Sequence, residues 1–273
     1  MPATTRSTTA PDGARIDYTE HHRSGAGRAV VLLAGFGAPA TSWLHQVPAL
    51  VRADHRVVTA DLPGHGTAGP TPDGSTMRGR ADHLHALLEH LDLHDAVLVG
   101  GSMGGNTIWA HVAAHGTGWL AGIAVADQTP KMVNTDDWPH GFYGYTEANR
   151  AGFFADGIPD TGHGTPLWRR GLRLVRLLRA MRGARRTLSP ADHVLLDDHG
   201  AADWRDTVRA VDVPVLFVAG AESELWPASH ADASAALSPH GRAVTIPRAG
   251  HAVNMEQPAA FDRALLEFLR GLR

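Results

Sequence analysis

Residues 97–115 read VLVGGSMGGNTIWAHVAAH, and their interpretation decides the fold. An apolar run, Val97–Val99, enters a knot of four glycines around one serine: Gly100, Gly101, Ser102, Gly104 and Gly105. A helix-like stretch leaves it. Glycine loses more backbone freedom on folding than any other residue, so four of them suggest geometry that a Cβ would block. The spacing Gly100-x-Ser102-x-Gly104 fits a sharp strand-to-helix turn that holds a serine in a strained conformation, with its hydroxyl at the top of a sheet. The same residues also fit a glycine-rich turn with a helix-capping serine. The residues on either side weigh between the two.

Outward from this stretch, short apolar runs recur. Ala29–Leu33, Arg56–Ala60, Gly122–Ala126, Val213–Ala219 and Ala243–Ile246 are continuous rather than alternating, as suits strands buried on both faces of a parallel sheet. Gly79–Leu91, Thr107–His115 and Pro258–Leu272 carry apolar residues at helical spacing. Strands alternating with helices imply an α/β sheet, with ligands gathered beyond the carboxyl ends of the strands. The segments AGFG, DLPGHG, GSMGG, ADQTP and GAESE all fall there. Ala14–Glu20 reads as an edge strand and residues 1–12 as a frayed tail. Residues 130–209 separate two strands by far more than a βα loop needs. They contain an aromatic stretch and the arginine-rich sequence LWRRGLRLVRLLRAMRGARR, in which Leu172, Val175, Leu177, Leu178 and Met181 could form one face. This segment reads as a helical cap over a core made of residues 1–129 and 210–273.

Composition narrows the function classes. The chain has 273 residues, enough for one α/β domain with an insertion or two small domains. Its net charge of -3 advertises neither a nucleic-acid nor a membrane partner. The absence of cysteine excludes disulfides, thiol nucleophiles and zinc-thiolate sites. The polar N-terminus MPATTRSTTAPDG has no apolar signal-peptide core and no run is long enough to span a bilayer, so the cytoplasm is the expected location. A homodimer is left open. Among 18 histidines, His83, His85, His90 and His94 read as decoration of a helix and its end rather than as metal ligands. His251 stands apart by position, after the last strand and before the last helix, at the same sheet end as Ser102.

Four motifs in this order resemble the α/β-hydrolase fold: Gly35-Phe36-Gly37, Asp61-Leu62-Pro63-Gly64-His65-Gly66, Gly100-x-Ser102-x-Gly104, and Gly250-His251 before a C-terminal helix. The resemblance covers the chain outside the tail and the cap. It implies a mostly parallel eight-stranded sheet flanked by helices, with the cap inserted after strand 6. It also implies Ser102 as nucleophile, His251 as general base, and the backbone N–H groups of Phe36 and Met103 as the oxyanion hole. Many relatives carry His-Gly before the hole residue; here the pair is Ala34-Gly35. A serine rather than an aspartate at the turn argues against dehalogenase and epoxide hydrolase chemistry.

The third member must be a carboxylate that orients the histidine and stabilises its cation. Many relatives place it after the seventh strand, where this sequence has Ser223 flanked by Glu222 and Glu224. A smaller set, including the zearalenone lactone hydrolases, places it after the sixth strand, where this sequence has Asp127. Asp127 is therefore the first choice, Glu222 the second and Glu224 the third. Such a centre would cleave an ester or lactone through an acyl-enzyme, with no metal or organic cofactor. Gly35, Trp138, Phe142, Tyr143, Phe153, Phe154, Trp168 and Trp226 are the expected lining of an apolar substrate pocket, suited to an uncharged ester or lactone. The same triad could serve thioester or carbon–carbon bond hydrolysis, or perhydrolysis like that of the non-haem haloperoxidases. A ligand-binding protein on a hydrolase fold is the remaining reading.

Overall fold

The computed structural model describes residues 4–21, 25–184 and 187–272. The frame is an eight-stranded sheet in the order β1-β2-β4-β3-β5-β6-β7-β8. Its strands are β1 (Thr5–Thr9), β2 (Arg15–Glu20), β3 (Gly27–Leu33), β4 (His55–Asp61), β5 (Ala96–Gly101), β6 (Leu120–Ala126), β7 (Val215–Gly220) and β8 (Gly241–Ile246). From β4 to β8 every pairing is parallel; β2 runs antiparallel to both β1 and β4.

The apolar runs form strands because both faces of the sheet are covered. Val31 and Leu33 of β3 and Leu98 of β5 point into one core, with Leu84 and Leu87 of α2 (Met77–His90) and Ile108 and Trp109 of α3 (Met103–His115). Val30, Leu32, Val97 and Val99 point into the other, with Leu50 of α1 (Gln46–Arg52) and Phe261, Leu265 and Phe268 of α9 (Pro258–Gly271). Successive residues of a strand face opposite ways, so an uninterrupted apolar run feeds two layers at once.

Between β6 and β7 lie α4 (Leu172–Ala180), α5 (Pro190–Ala201) and α6 (Arg205–Ala210). A reciprocal cap between Ser189 and Asp192 starts α5. Residue 209, the expected end of the cap, falls inside α6, whose Val208 is fully buried in the first core. Two short helices complete the chain, α7 (His230–Leu237) and α8 (Val253–Glu256).

Two expectations for the N-terminus are corrected. Of the stretch read as a tail, residues 1–3 lie outside the described residues and Thr5–Thr9 form β1, and the segment read as the edge strand is flanked on both sides, Thr8 lying opposite Ile16 and Tyr18 opposite Ala60. The sequence TRSTT of β1 is largely exposed and carries no apolar residue, so nothing in its hydropathy marks a strand. Its order comes from backbone pairing with β2.

Candidate active site

Parallel pairing delivers the ends of β3, β5, β6, β7 and β8 to one edge of the sheet, and the residues singled out by sequence follow those ends. Ser102 directly follows β5. It has φ 51° and ψ -128°, a left-handed conformation that costs a non-glycine residue about 1–3 kcal/mol. Its N–H donates to the Ala126 carbonyl at 3.0 Å, and its own carbonyl accepts from Gly105 N–H at 2.8 Å. Its hydroxyl makes no capping hydrogen bond to α3. Two glycines permit this turn: a Cβ on Gly100 would lie 2.4 Å from the Gly104 carbonyl carbon, and one on Gly104 would lie 2.5 Å from the Leu33 carbonyl oxygen. The loop after β3 passes equally close, since a Cβ on Gly35 would sit 2.9 Å from Ser102 Cβ. The N–H groups of Phe36 and Met103 therefore flank the serine, and no hydrogen bond among the described residues occupies either of them.

Asp127 follows β6 and is wholly buried. Its Oδ1 accepts from Gly220 N–H at 2.7 Å, and its Oδ2 accepts from Ser223 Oγ at 2.7 Å and Trp226 Nε1 at 3.0 Å. His251 Nδ1 lies 2.8 Å from the same Oδ2, an arrangement that orients the imidazole and leaves Nε2 as its other nitrogen. The His230 imidazole stands 3.5 Å from Oδ1, at the outer limit of a hydrogen bond. Burial alone would raise the Asp127 pKa; the approach of His230 and His251 outweighs it and brings the group down to about 2. Asp127 is thus a carboxylate at any working pH.

Glu222 and Glu224 are engaged elsewhere. Glu222 accepts from Thr165 Oγ1 and from Arg173 Nη1, the latter at 2.9 Å, and these contacts lower its pKa despite partial burial. Glu224 pairs with Arg170, and its Oε2 accepts the backbone N–H of His251 at 2.6 Å. It therefore touches the histidine's main chain and not its ring. Arg170 also donates to buried Glu256 at 2.9 Å and to the Thr165 carbonyl at 2.8 Å. Two arginines of the cap, Arg170 and Arg173, are so tied to three glutamates of the core around the His251 loop. Carboxylates offset the cost of burying Arg170, and no local pattern in the arginine-rich sequence announces these distant partners.

Ser102 and His251 open on a cavity of about 550 Å³ beneath the cap. Gly35 and Phe36 line it, but none of the seven aromatic residues expected as its lining does. Phe142, Phe154 and Trp226 are buried, with Phe153 packed against them, in a third apolar cluster that also takes in Met77 and Ala81 of α2 and Met103 and Ala110 of α3. Trp138 is buried with its Nε1 donating to Thr129 Oγ1 and the Lys131 carbonyl. Tyr143 stacks on His163, with ring centres 3.6 Å apart, so that the histidine and not the tyrosine reaches the cavity. Trp168 is 75% exposed on the outside of the cap. Large aromatics gain most by leaving water, and here they are packed between the insertion and the helices α2 and α3, leaving the cavity wall to Trp43, Leu177, Met181, Leu225 and Met255. Of these, Leu177 and Met181 carried a signal, the apolar face of α4. The histidines of α2 are paired locally, His83 with Asp12 and His90 with the Tyr18 hydroxyl, and among the described residues no group of three acidic or histidine side chains is arranged to hold a metal ion.

Comparison with known proteins bears on the family and the fold. Residues 30–264 match the sequence pattern of the alpha/beta hydrolase family. The chain is 29% identical over 286 aligned residues to a non-heme haloperoxidase of Rhodococcus erythropolis, covering 96% of this chain and 98% of that one. It is 26% identical over 288 aligned residues to a bifunctional esterase/perhydrolase of Acinetobacter calcoaceticus, covering 96% and 99%. Among solved structures, a bromoperoxidase from Bacillus anthracis superposes with a TM-score of 0.78 at 26% identity, over 97% of this chain and all of that one.

Proposed function

The chain belongs to the alpha/beta hydrolase family, and from that premise we propose that it cleaves an uncharged carboxylic ester through a serine acyl-enzyme. The observation that carries the reading is the hydrogen bond from His251 to buried Asp127 at the rim of a cavity that also holds the strained Ser102. Ser102 Oγ attacks the ester carbonyl while His251 Nε2 takes its proton. Phe36 and Met103 N–H groups receive the developing oxyanion, a contribution of about 3 kcal/mol per donor where one has been removed in other enzymes. The resulting imidazolium faces the Asp127 carboxylate, then returns the proton to the leaving alkoxide. Water, deprotonated by His251, attacks the acyl carbon; the bond between that carbon and Ser102 Oγ breaks, His251 returns the proton to Oγ, and the acid leaves. Arg170 and Glu224 both border the cavity but neutralise each other, which favours an uncharged acyl group.

A second reading uses the same residues. The names of the Rhodococcus and Acinetobacter relatives support perhydrolysis, in which hydrogen peroxide replaces water. One peroxide oxygen then bonds to the acyl carbon, the O–O bond stays intact, Ser102 departs with the proton, and a peracid forms.

A series of p-nitrophenyl esters of increasing acyl length, hydrolysed by wild type and Ser102→Ala, tests the proposal. Activity should vanish in the variant, because the proposed acyl carrier is gone. Equal activity in both would refute it. Adding peroxide to the wild-type assay and measuring peracid separates the two fates of the acyl-enzyme.

A further inference from the structure

The outer face of the cap is apolar and uncovered. Leu167, Trp168, Leu172, Val175 and Leu178 are all more than half exposed, from 55% to 75%. Leu172, Val175 and Leu178 recur every third residue and so share one side of α4, whereas Leu177 and Met181 turn inward to the cavity. Along α4 and the turn before it the charge has a single sign, the nearest exposed acidic residues in sequence being Asp156 and Asp160 beside Ile158. Residues 167–186 hold eight arginines, and no acidic residue occurs from Thr161 to Ala191. Arg170 and Arg173 are tied inward to glutamates, while Arg169, Arg179 and Arg182 stay exposed. The guanidinium of Arg169 lies over the Trp168 ring, 4.6 Å from its centre. The apolar face also runs to the mouth of the cavity, since Leu167 and the half-exposed Ile158 line both.

An apolar ridge edged by arginines matches an interface whose interior is hydrocarbon and whose headgroups are anionic. A second copy of the chain fits it poorly: a two-fold contact through this face would bring arginines against arginines. We propose that α4 and the turn before it dock the protein on an anionic lipid surface, with the cavity mouth turned toward the lipid. The near-neutral net charge conceals this, because the acidic residues lie elsewhere. Docking of this kind is peripheral and requires no spanning helix; none of the described helices is long and apolar enough to cross a membrane. It stands apart from the chemistry assigned to Ser102.

Co-sedimentation of the purified full chain with vesicles tests the proposal directly. Wild type should pellet with phosphatidylcholine vesicles containing phosphatidylglycerol and stay in solution with phosphatidylcholine alone, and binding should weaken about tenfold in high salt as the arginine attraction is screened. Val175→Glu should abolish pelleting while keeping the wild-type rate on a water-soluble p-nitrophenyl ester, since this exposed side chain reaches neither core nor cavity. Arg179→Gln with Arg182→Gln should weaken binding without changing that rate. No binding to anionic vesicles, equal binding to neutral ones, or undiminished binding by Val175→Glu would overturn the proposal. So would a dimer in sedimentation velocity that Val175→Glu dissolves, which would make the face a contact between copies.

Discussion

At Asp127 one side chain gathers four close donors: Gly220 N–H, Ser223 Oγ, Trp226 Nε1 and His251 Nδ1. An asparagine there would turn an NH2 toward groups that are themselves donors and so disfavour the required histidine tautomer. Asp127→Asn should lower kcat about 10³-fold or more, by analogy with the loss when a triad aspartate is amidated. Glu222→Gln should leave kcat within about twofold, and Glu224→Gln, which keeps an acceptor for the His251 N–H but loses the Arg170 pair, should cost about tenfold at most. Steady-state kinetics on one p-nitrophenyl ester checks all three, and a large loss confined to the glutamate variants would remove Asp127 from the proposed role. With its pKa near 2, Asp127 should not produce an acid limb in kcat/KM above about pH 4. The positions of Ser102, Asp127 and His251 were legible because each directly follows a strand, or the turn after one, and strand ends in a parallel sheet converge. The preference for Asp127 over the two glutamates comes from the family resemblance alone, because what separates them is side-chain direction and arginines 49 and 54 residues distant in sequence.

Among the elements, α4 shows where reading by periodicity stops. Its apolar spacing predicts an amphipathic helix, and the helix is there, but the residues assigned to one face divide between two surroundings. Leu177 and Met181 enter the cavity; Leu172, Val175 and Leu178 meet solvent. Periodicity fixes angles around an axis and leaves undetermined which side meets the core. The cap aromatics failed as cavity lining for a related reason: composition marks them as apolar without saying which apolar space they fill. Leu177 therefore gives a direct test of the cavity's role. Leu177→Ala should deepen the pocket and move the preferred acyl chain of the ester series longer by several carbons, with kcat/KM for the shortest ester falling as its contacts are lost. An unchanged chain-length profile would mean that acyl groups bind elsewhere. Ser223 marks the opposite outcome at the loop after β7, where a small residue in place of the usual acid became a donor to Asp127.

For the molecule as a whole, the two cores were legible and the buried histidines were not. His65, His111 and His199 are enclosed, and burial drives each pKa down from 6.5 to about 3. They are neutral when folded, while the unfolded chain takes up their protons below about pH 6.5. The stability they permit is complete above that pH and is lost progressively as the pH falls toward 3, by about 1.4 kcal/mol per pH unit for each group. The melting temperature should accordingly be level above about pH 7 and fall steeply from pH 6.5 to 5, and His111→Gln should flatten the fall; a curve that stays level to pH 5 would contradict this. The polar strand β1 bears on how the protein is handled. Its sequence invites removal as a tail, and a shortened gene beginning after Thr9 would be a natural choice for expression or crystallisation. Such a product should lose yield to inclusion bodies, because β2 would then offer a free backbone edge beside Ile16 and Tyr18 to other chains. Light scattering of the shortened and full-length proteins at equal concentration would show it, and the five polar residues of β1 would prove to be what keeps the sheet from growing sideways.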